Sequence, residues 1–565
     1  MTTSAAILLA SLAGAQVPNP EPESCSAPLS AVARCSEAEG GGEEFDSLNP
    51  AEIDAIVKAA ASATNRTDLT IAVVDRAGRP LALFRQPNAD PENDDKAVGV
   101  ARTTAFFSHN QAPLSSRTVR FISAIHFPTG VTNTNSAALY GIDNTNRGCD
   151  FNVVFNEGKC TPRARSLNGR PCNAFDTSGC GQGIVTGKIF PGDEIQQSVN
   201  AGGIPLFRIL NLTEADQGRV SEGKMIGGIG VVGISEDPRE EDPQITEYAA
   251  ATGAFGALNA GVGAIVPVPQ FPLPKPGNVF IDGIRLPFLG RDITLRFNED
   301  GLPTGVLLAG IQAGTDAGEY AIAPRNGGCA ANGYLVGPLA GSRLTAAEVD
   351  AIVRRADSAA KRTRAAIRLP LNRYARMAIA VADLDGTLLA VYRMPDATIF
   401  STDVSVAKAR NVVHFSTSTD LAGVPAGTAV TNRSIAFGSH PFFPPGIDGR
   451  NFKPRPGPFF ESIFVRDLNN PCSQGLQPAN ANQSGIVFFA GSTPLFRGNE
   501  MIGGLGVSGD GIEQDDYVTF LGAGEFLPPR ERWADRIIID KVRLPQYKFP
   551  RQPEGVTECG GGPCD

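Results

Sequence analysis

Apolar positions along this chain change period several times, and the same succession of periods occurs twice. In LNPAEIDAIVKAA (Leu48–Ala60) apolar residues recur at Ile53, Ile56, Val57 and Ala60, one face of a helix. LTAAEVDAIVRRA (Leu344–Ala356) repeats the pattern at Val349, Ile352, Val353 and Ala356, with 8 of 13 positions identical. Asn49 and Thr345 stand as N-caps, and Glu52 and Glu348 three places on complete a capping box. IAVVDRAGRPLALFRQPNA (Ile71–Ala89) and IAVADLDGTLLAVYRMPDA (Ile379–Ala397) follow, identical at 10 of 19 positions. Each is two apolar β-rich runs around a glycine, Gly78 or Gly386, and predicts a hairpin.

A second helix is predicted at Val98–Phe107 and Val404–Val413, an alignment that sets Arg102 against Lys408. PLFR then appears at Pro205–Arg208 and Pro494–Arg497, followed by the strands MIGGIGVVG (Met225–Gly233) and MIGGLGVSG (Met501–Gly509). A last helix carries Glu247-Tyr248-Ala249 in copy one and Asp516-Tyr517-Val518 in copy two. Antiparallel hairpins with helices gathered around them make an α+β layered domain, and the βαβ alternation of a parallel sheet is missing. The expected organisation is two tandem domains, 45–260 and 341–530, with insertions at about 108–200 and 415–485. Between them, 261–340 reads as a Pro-rich linker (Pro267–Gly277) and an accessory segment. Its strand-like stretches, Asp292–Phe297 and Thr304–Ala309, find no place in the repeat, and 531–565 reads as a C-terminal tail.

Charge and composition narrow the partners. Net charge is −9 with no Lys/Arg run, which argues against nucleic acid. Residues 1–15 read as a signal peptide, an apolar stretch from Ala5 to Ala13 ending in Ala13-Gly14-Ala15, with Gln16 as the new N-terminus and a tail over 16–44. No later segment has the ~18 uninterrupted apolar residues of a membrane span, so the expected location is secreted or periplasmic. The 10 cysteines fit export: none forms CxxC or a zinc spacing, and they fall in loops and tails as disulfide staples. Cys25–Cys35, Cys172–Cys180 and Cys559–Cys564 are plausible pairs by proximity.

The blocks resemble the GlcG/HbpS-type haem-binding family, which includes the C-terminal domains of PduO-type proteins. That pattern is a capped helix, an IAVxDxxGxLxAxxRMxxA hairpin, a KARTA helix, then GGxPL and GxIGVSG with an acidic residue soon after. Here Gly202-Gly203-Ile204-Pro205, Gly491-Ser492-Thr493-Pro494 and Gly504–Gly509 carry the later blocks, while copy one departs with Gly-Val-Val-Gly at Gly230–Gly233. The resemblance implies profilin-like layered domains, each an antiparallel sheet of about five strands flanked by helices. It also implies multimeric assembly and a haem or related tetrapyrrole ligand; some relatives are linked to haem degradation.

A haem site needs an axial ligand, an apolar slot and cations for the propionates. With only 4 histidines in the chain, His126 and His440 stand out, one per copy, each after an arginine (Arg120, Arg433) and before a Pro-Gly turn and Gly-Ile-Asp. Phe121, Phe127, Phe442 and Phe443 could line a flat ligand, and Arg102 and Lys408, at the KARTA basic position, could meet a carboxylate. His126 and His440 are thus candidate iron ligands, with a loop histidine bonded to backbone as the bland alternative. His109 and His414 read as charges near a helix C-terminus, and Arg85 and Arg393 as ion-pair partners. There is no HExxH, nucleophile elbow or Ser-His-Asp order, so a binding protein is favoured over an enzyme. Two other readings stay open: an assembly module using the duplication as a pseudo-dimer, and a haem-degrading oxidoreductase.

Overall fold

The computed structural model describes residues 47–142, 197–209, 221–233, 242–268, 270–271, 279–281, 283–299, 303–369, 371–448, 455–469, 474–478, 480 and 482–556. The signal peptide, the N-terminal tail, both insertion centres and nine cysteines lie outside these residues, and with them the three cysteine pairs named above. Cys329, the cysteine among the described residues, is disulfide-bonded.

Copy one runs α1 (Pro50–Ser62), β1 (Thr70–Asp75), β2 (Pro80–Arg85), α2 (Asp94–Phe107), α3 (Ser116–Ile122), β3 (Gly203–Ile209), β4 (Ser221–Val232) and α4 (Asp242–Gly253). It is followed by a short hairpin, β5 (Phe280–Ile281) and β6 (Ile284–Arg285), and by β7 (Glu319–Ile322). Copy two runs β8 (Gly333–Val336), α5 (Ala346–Arg362), β9 (Ala378–Ala382), β10 (Leu388–Arg393), α6 (Phe400–Thr417), α7 (Asn432–Gly438), β11 (Ser492–Arg497), β12 (Glu500–Ser508) and α8 (Ile512–Ala523). A second short hairpin, β13 (Ile538–Ile539) and β14 (Val542–Arg543), follows it.

Both capping boxes form, and each has a further use. Glu52 accepts from the Asn49 backbone N–H at 2.9 Å while Arg208, at the end of β3, grips the same carboxylate at 2.6 Å. Glu348 does the same with Thr345 at 2.9 Å and Arg497 at 2.6 Å. The arginine of each PLFR block therefore ties its strand to the first turn of the first helix, where a carboxylate also suits the helix dipole.

Each copy is built on an antiparallel sheet, in the order β7-β2-β1-β4-β3 for copy one and β8-β10-β9-β12-β11 for copy two. Copy one gains two short extra strands, Ile265–Val266 on β3 and Gln270–Phe271 on β4. Glycines in β4 and β12 decide how the helices pack. A Cβ on Gly228 or Gly230 would overlap the α2 carbonyls of Ala101 and Ala97, and one on Gly504 or Gly506 the α6 carbonyls of Ala409 and Ser405. Bare backbone there lets α2 and α6 lie directly on the sheet. On the opposite face Ile229 and Leu505 meet α4 at Gly253 and α8 at Gly522, so helices cover both faces.

These contacts correct the helix alignment. Ala101 takes the place of Ala409, which pairs Arg102 with Arg410 and not with Lys408. Both arginines hold the hairpin turn, Arg102 Nε to Gly78 O at 2.8 Å and Arg410 Nε to Gly386 O at 2.9 Å. Val100 stands in copy one where copy two has Lys408.

Parts of the accessory segment 261–340 belong to the repeat. It supplies the edge strand of both sheets: Tyr320 of β7 pairs with Phe84, and Tyr334 of β8 with Tyr392. The two tyrosines make matching bonds, to Asp54 at 2.8 Å and Asp350 at 2.7 Å. The short hairpins are equivalent as well, since Ile281–Pro287 and Ile539–Pro545 share Ile-Asp-x-x-Arg-Leu-Pro. Thr118 donates to Pro287 O and Ser434 to Pro545 O, each at 2.6 Å. The structural repeat thus extends beyond 260 and 530. The expected strands near 292 and 304 form a separate hairpin, Thr294–Phe297 with Pro303–Leu307.

The copies share hydrophobic core. Ile399, Phe400, Val404, Ala407, Val487 and Phe489 of copy two are buried in the cluster of copy one. Phe107 stacks on Phe400 at 4.0 Å between ring centres. Among the described residues no helix is long and apolar enough to cross a membrane.

Candidate functional site

Each insertion opens on a seven-residue helix capped by a hydroxyl, Ser115 for α3 and Thr431 for α7. From its first turn an arginine reaches the acidic residue of the last helix: Arg117 to Glu247 at 2.8 Å and Arg433 to Asp516 at 2.5 Å. Backbone from the short-hairpin segment completes both pairs, Gly290 N to Glu247 at 2.5 Å and Lys548 N to Asp516 at 3.0 Å. Burial pushes both carboxyls upward, opposed by their arginines. The counterpart of Arg433 is therefore Arg117 and not Arg120, whose guanidinium lies 3.4 Å from Asn200 Oδ1.

Beyond these helices the two loops run in register, with Phe127-Pro128 matching Phe443-Pro444 and Gly130 (φ 84°) matching Gly446 (φ 86°). This register gives a second correction. His126 is the counterpart of Phe442, and His440 that of Ala124; the two histidines are not equivalent. Both nevertheless neighbour the Phe442 ring, at 5.4 Å and 6.2 Å between ring centres, because the loops pack on each other. Asn133 N donates to Asp448 Oδ2 and Asp448 N to Asn133 Oδ1, both at 3.1 Å. His126 lies 5.4 Å from the Phe442 ring, and its Nε2 is 3.5 Å from Asp448 Oδ2. Its Nδ1 lies 3.2 Å from Thr134 O. Tyr140 of copy one covers His440 of copy two at 5.1 Å. Phe121 packs on Phe127 at 5.6 Å and Phe443 on Phe437 at 5.5 Å. Asp143, the first of the two Gly-Ile-Asp carboxylates, lies outside the described residues.

His440 is the chemically distinctive residue of this seam. It is buried, and its Nδ1 lies 2.8 Å from the carbonyl oxygen of Phe442. The Phe442 backbone N–H also lies 3.1 Å from Nδ1, so Phe442 holds the ring in either tautomer; with the proton on Nδ1, Nε2 presents a bare lone pair. Nε2 is buried with no hydrogen-bond partner, and so is Asp448 Oδ1. Burial pulls the His440 pKa down to about 4, countered by the Phe442 carbonyl and reinforced by the field of His126. The ring is neutral at neutral pH and needs to lose no proton to bind a metal. Among the described residues no group of three or more His, Cys, Asp or Glu is placed to hold a bare metal ion. An iron that brings its own tetrapyrrole nitrogens needs only an axial ligand from the protein, so this donor set fits haem better than a bare ion.

All four candidate cations have partners inside the chain, Arg120 through Asn200 as above. Arg102 is committed to Gly78 O, and burial lowers its pKa to about 10. Lys408 contacts Asp515 at 2.9 Å and Val507 O at 2.8 Å, and sits 4.9 Å from the Phe489 ring centre. Burial lowers the pKa of Lys408 and raises that of Asp515 to about 7. Arg433 is bound to Asp516, as above. A propionate would have to displace one of these partners. Of the other histidines, His414 Nε2 lies 2.8 Å from Asp420; His109 is buried with Nδ1 3.3 Å from Arg368 and, like His440, has an Nε2 without a hydrogen-bond partner, but it sits beside that cation and away from the seam. Arg85 pairs with Asp94, whereas Arg393 bonds the Ala397 carbonyl. Reading the sequence missed Arg117, Tyr140 and Asp448 as site neighbours. Arg117 was legible as the residue two places after an N-cap serine, just as Arg433 follows Thr431.

No curated protein matches the chain. Among solved structures, Klebsiella pneumoniae protein ORFY shares 18% identity, covering 32% of this chain and 88% of its own, with a TM-score of 0.21. A PduOC:heme complex shares 19% over 32% of this chain and 91% of its own, TM-score 0.20. A double mutant of Streptomyces reticuli HbpS shares 17% over 33% and 88%, TM-score 0.20. The family model described as haem degrading protein HbpS-like matches residues 48–154 and 353–522. Those two regions fall on the two copies described above, each of which is similar to an HbpS-like domain.

Proposed function

We propose that this protein binds haem or a related tetrapyrrole at the seam between its two insertion loops, with His440 as the ligand to iron. The observation that carries the reading is the buried, unpartnered Nε2 of His440, its ring fixed through Nδ1 by the Phe442 backbone and covered by Tyr140. Metal-ligating histidines are commonly oriented this way, by a carbonyl on the far nitrogen. The HbpS-like match supports the ligand class. Bound haem would supply the redox and Lewis-acid chemistry of its iron; the chain's part is to orient His440, keep it neutral and exclude water. The test is titration of the full chain with haemin. A Soret band should develop in the wild type and be lost or shifted in His440→Ala, whereas identical spectra for the two proteins would refute the ligand assignment.

Haem degradation is a second reading, favoured by the family description; it requires turnover of bound haem when a reductant is supplied. The shared core and the paired Asn133–Asp448 bonds favour a third, a pseudo-dimeric assembly module. That reading stands ahead if no tetrapyrrole is taken up. The same proposal includes a profilin-like layering of each domain, insertions stapled by disulfides, and export. N-terminal sequencing of the mature protein, with Gln16 expected first, tests the last of these.

A further inference from the structure

Each copy could carry its own ligand, as two independent family domains would. The register of the loops points elsewhere. Copy one has His126 but Ala124 where copy two has His440, and copy two has His440 but Phe442 where copy one has His126. Neither copy holds both imidazoles, so neither reproduces the other's donor set. The missing parts come across the seam instead. Tyr140 of copy one covers His440 at 5.1 Å, and Phe442 of copy two faces His126 at 5.4 Å. Asp448 of copy two lies 3.5 Å from His126 and accepts from Asn133 of copy one. His440 Nε2 and Asp448 Oδ1, two of the buried polar atoms without a hydrogen-bond partner among the described residues, both belong to this one seam.

We infer that the chain forms one composite tetrapyrrole site, built from both copies, and takes up one ligand per chain. The inference rests on the tetrapyrrole reading above and adds its stoichiometry and the origin of its walls. His440 of copy two would be the iron ligand. Tyr140 and His126 of copy one would be positioning residues, acting through the tilted ring contact on His440 and through Asp448. Duplication would then have produced an internal heterodimer whose halves have diverged into complementary roles.

The test is the endpoint of a haemin titration of the full chain, followed at the Soret band with circular dichroism and Trp533 fluorescence as checks on folding. The inference expects a break at one equivalent per chain. Tyr140→Ala and His126→Ala should each weaken that single event about tenfold or more without halving its amplitude, and His440→Ala should abolish the histidine-ligated spectrum. A break at two equivalents would overturn the inference and leave the tetrapyrrole reading standing. So would a His440→Ala protein that retains a full, unshifted half of the signal. No uptake by the folded wild type would overturn both.

Discussion

At the scale of single residues, the account turns on groups whose charge the fold has set. His440 titrates near 4 against an ordinary value of 6.5. The unfolded chain binds this proton more readily than the native one, so stability falls as pH drops from about 6.5 toward 4. The contribution is about 2–3 kcal/mol, and His440→Gln should remove that part of the slope in urea titrations across this window. The Lys408–Asp515 pair gives a sharper comparison, because copy one has Val100 and Thr246 at the matching positions. Lys408→Val alone leaves a buried carboxyl without its cation and should cost about 3–5 kcal/mol, whereas K408V with D515T should recover most of the loss. Equal losses in the single and double variants would contradict the assigned equivalence.

At the scale of elements, much of the fold was legible. Capping boxes, glycine-centred hairpins and the Met-Ile-Gly-Gly strands each carry a local physical demand, and each stands where the sequence puts it. The errors were of register. Val98-Gly99-Val100-Ala101 matches Val404-Ser405-Val406-Ala407 at three of four letters, yet the fit of α2 and α6 onto the glycines of β4 and β12 shifts the match by two residues. A run of small apolar residues on a fully buried helix gives little periodicity to choose between such alignments. The loop histidines were paired by their distance from an arginine, and that arginine was itself three positions out. The edge strands β7 and β8 share little more than a tyrosine, too little to see without the sheet. The packing makes its own prediction: Gly228→Ala or Gly504→Ala should force α2 or α6 off the sheet and lower stability by about 1–3 kcal/mol or more. Gly130→Ala, where a Cβ meets nothing within 4 Å, should show only the strain of its positive φ.

At the scale of the molecule, the copies do not behave as beads on a string. A stretch of 18 residues, 319–336, gives an edge strand first to one sheet and then to the other. Arg368, on a copy-two loop, is buried against Asp396 at 2.8 Å and lies 3.3 Å from Gln111 of copy one. Phe400 inserts into the core of copy one. Calorimetry should therefore show one cooperative transition. Phe400→Ala should cost roughly 3–5 kcal/mol and begin to separate the melting of the copies. Two well-resolved transitions in the wild type would mean that the shared core couples them weakly.

The claim on which the function depends is that the seam between the insertion loops holds the tetrapyrrole through His440. Diffraction from haemin-loaded crystals, with anomalous data at the iron edge, tests it directly. The account predicts one iron per chain within bonding distance of His440 Nε2, between the loops that carry Tyr140 and Phe442. An iron bound elsewhere, with His440 Nε2 still buried and unligated, would contradict it.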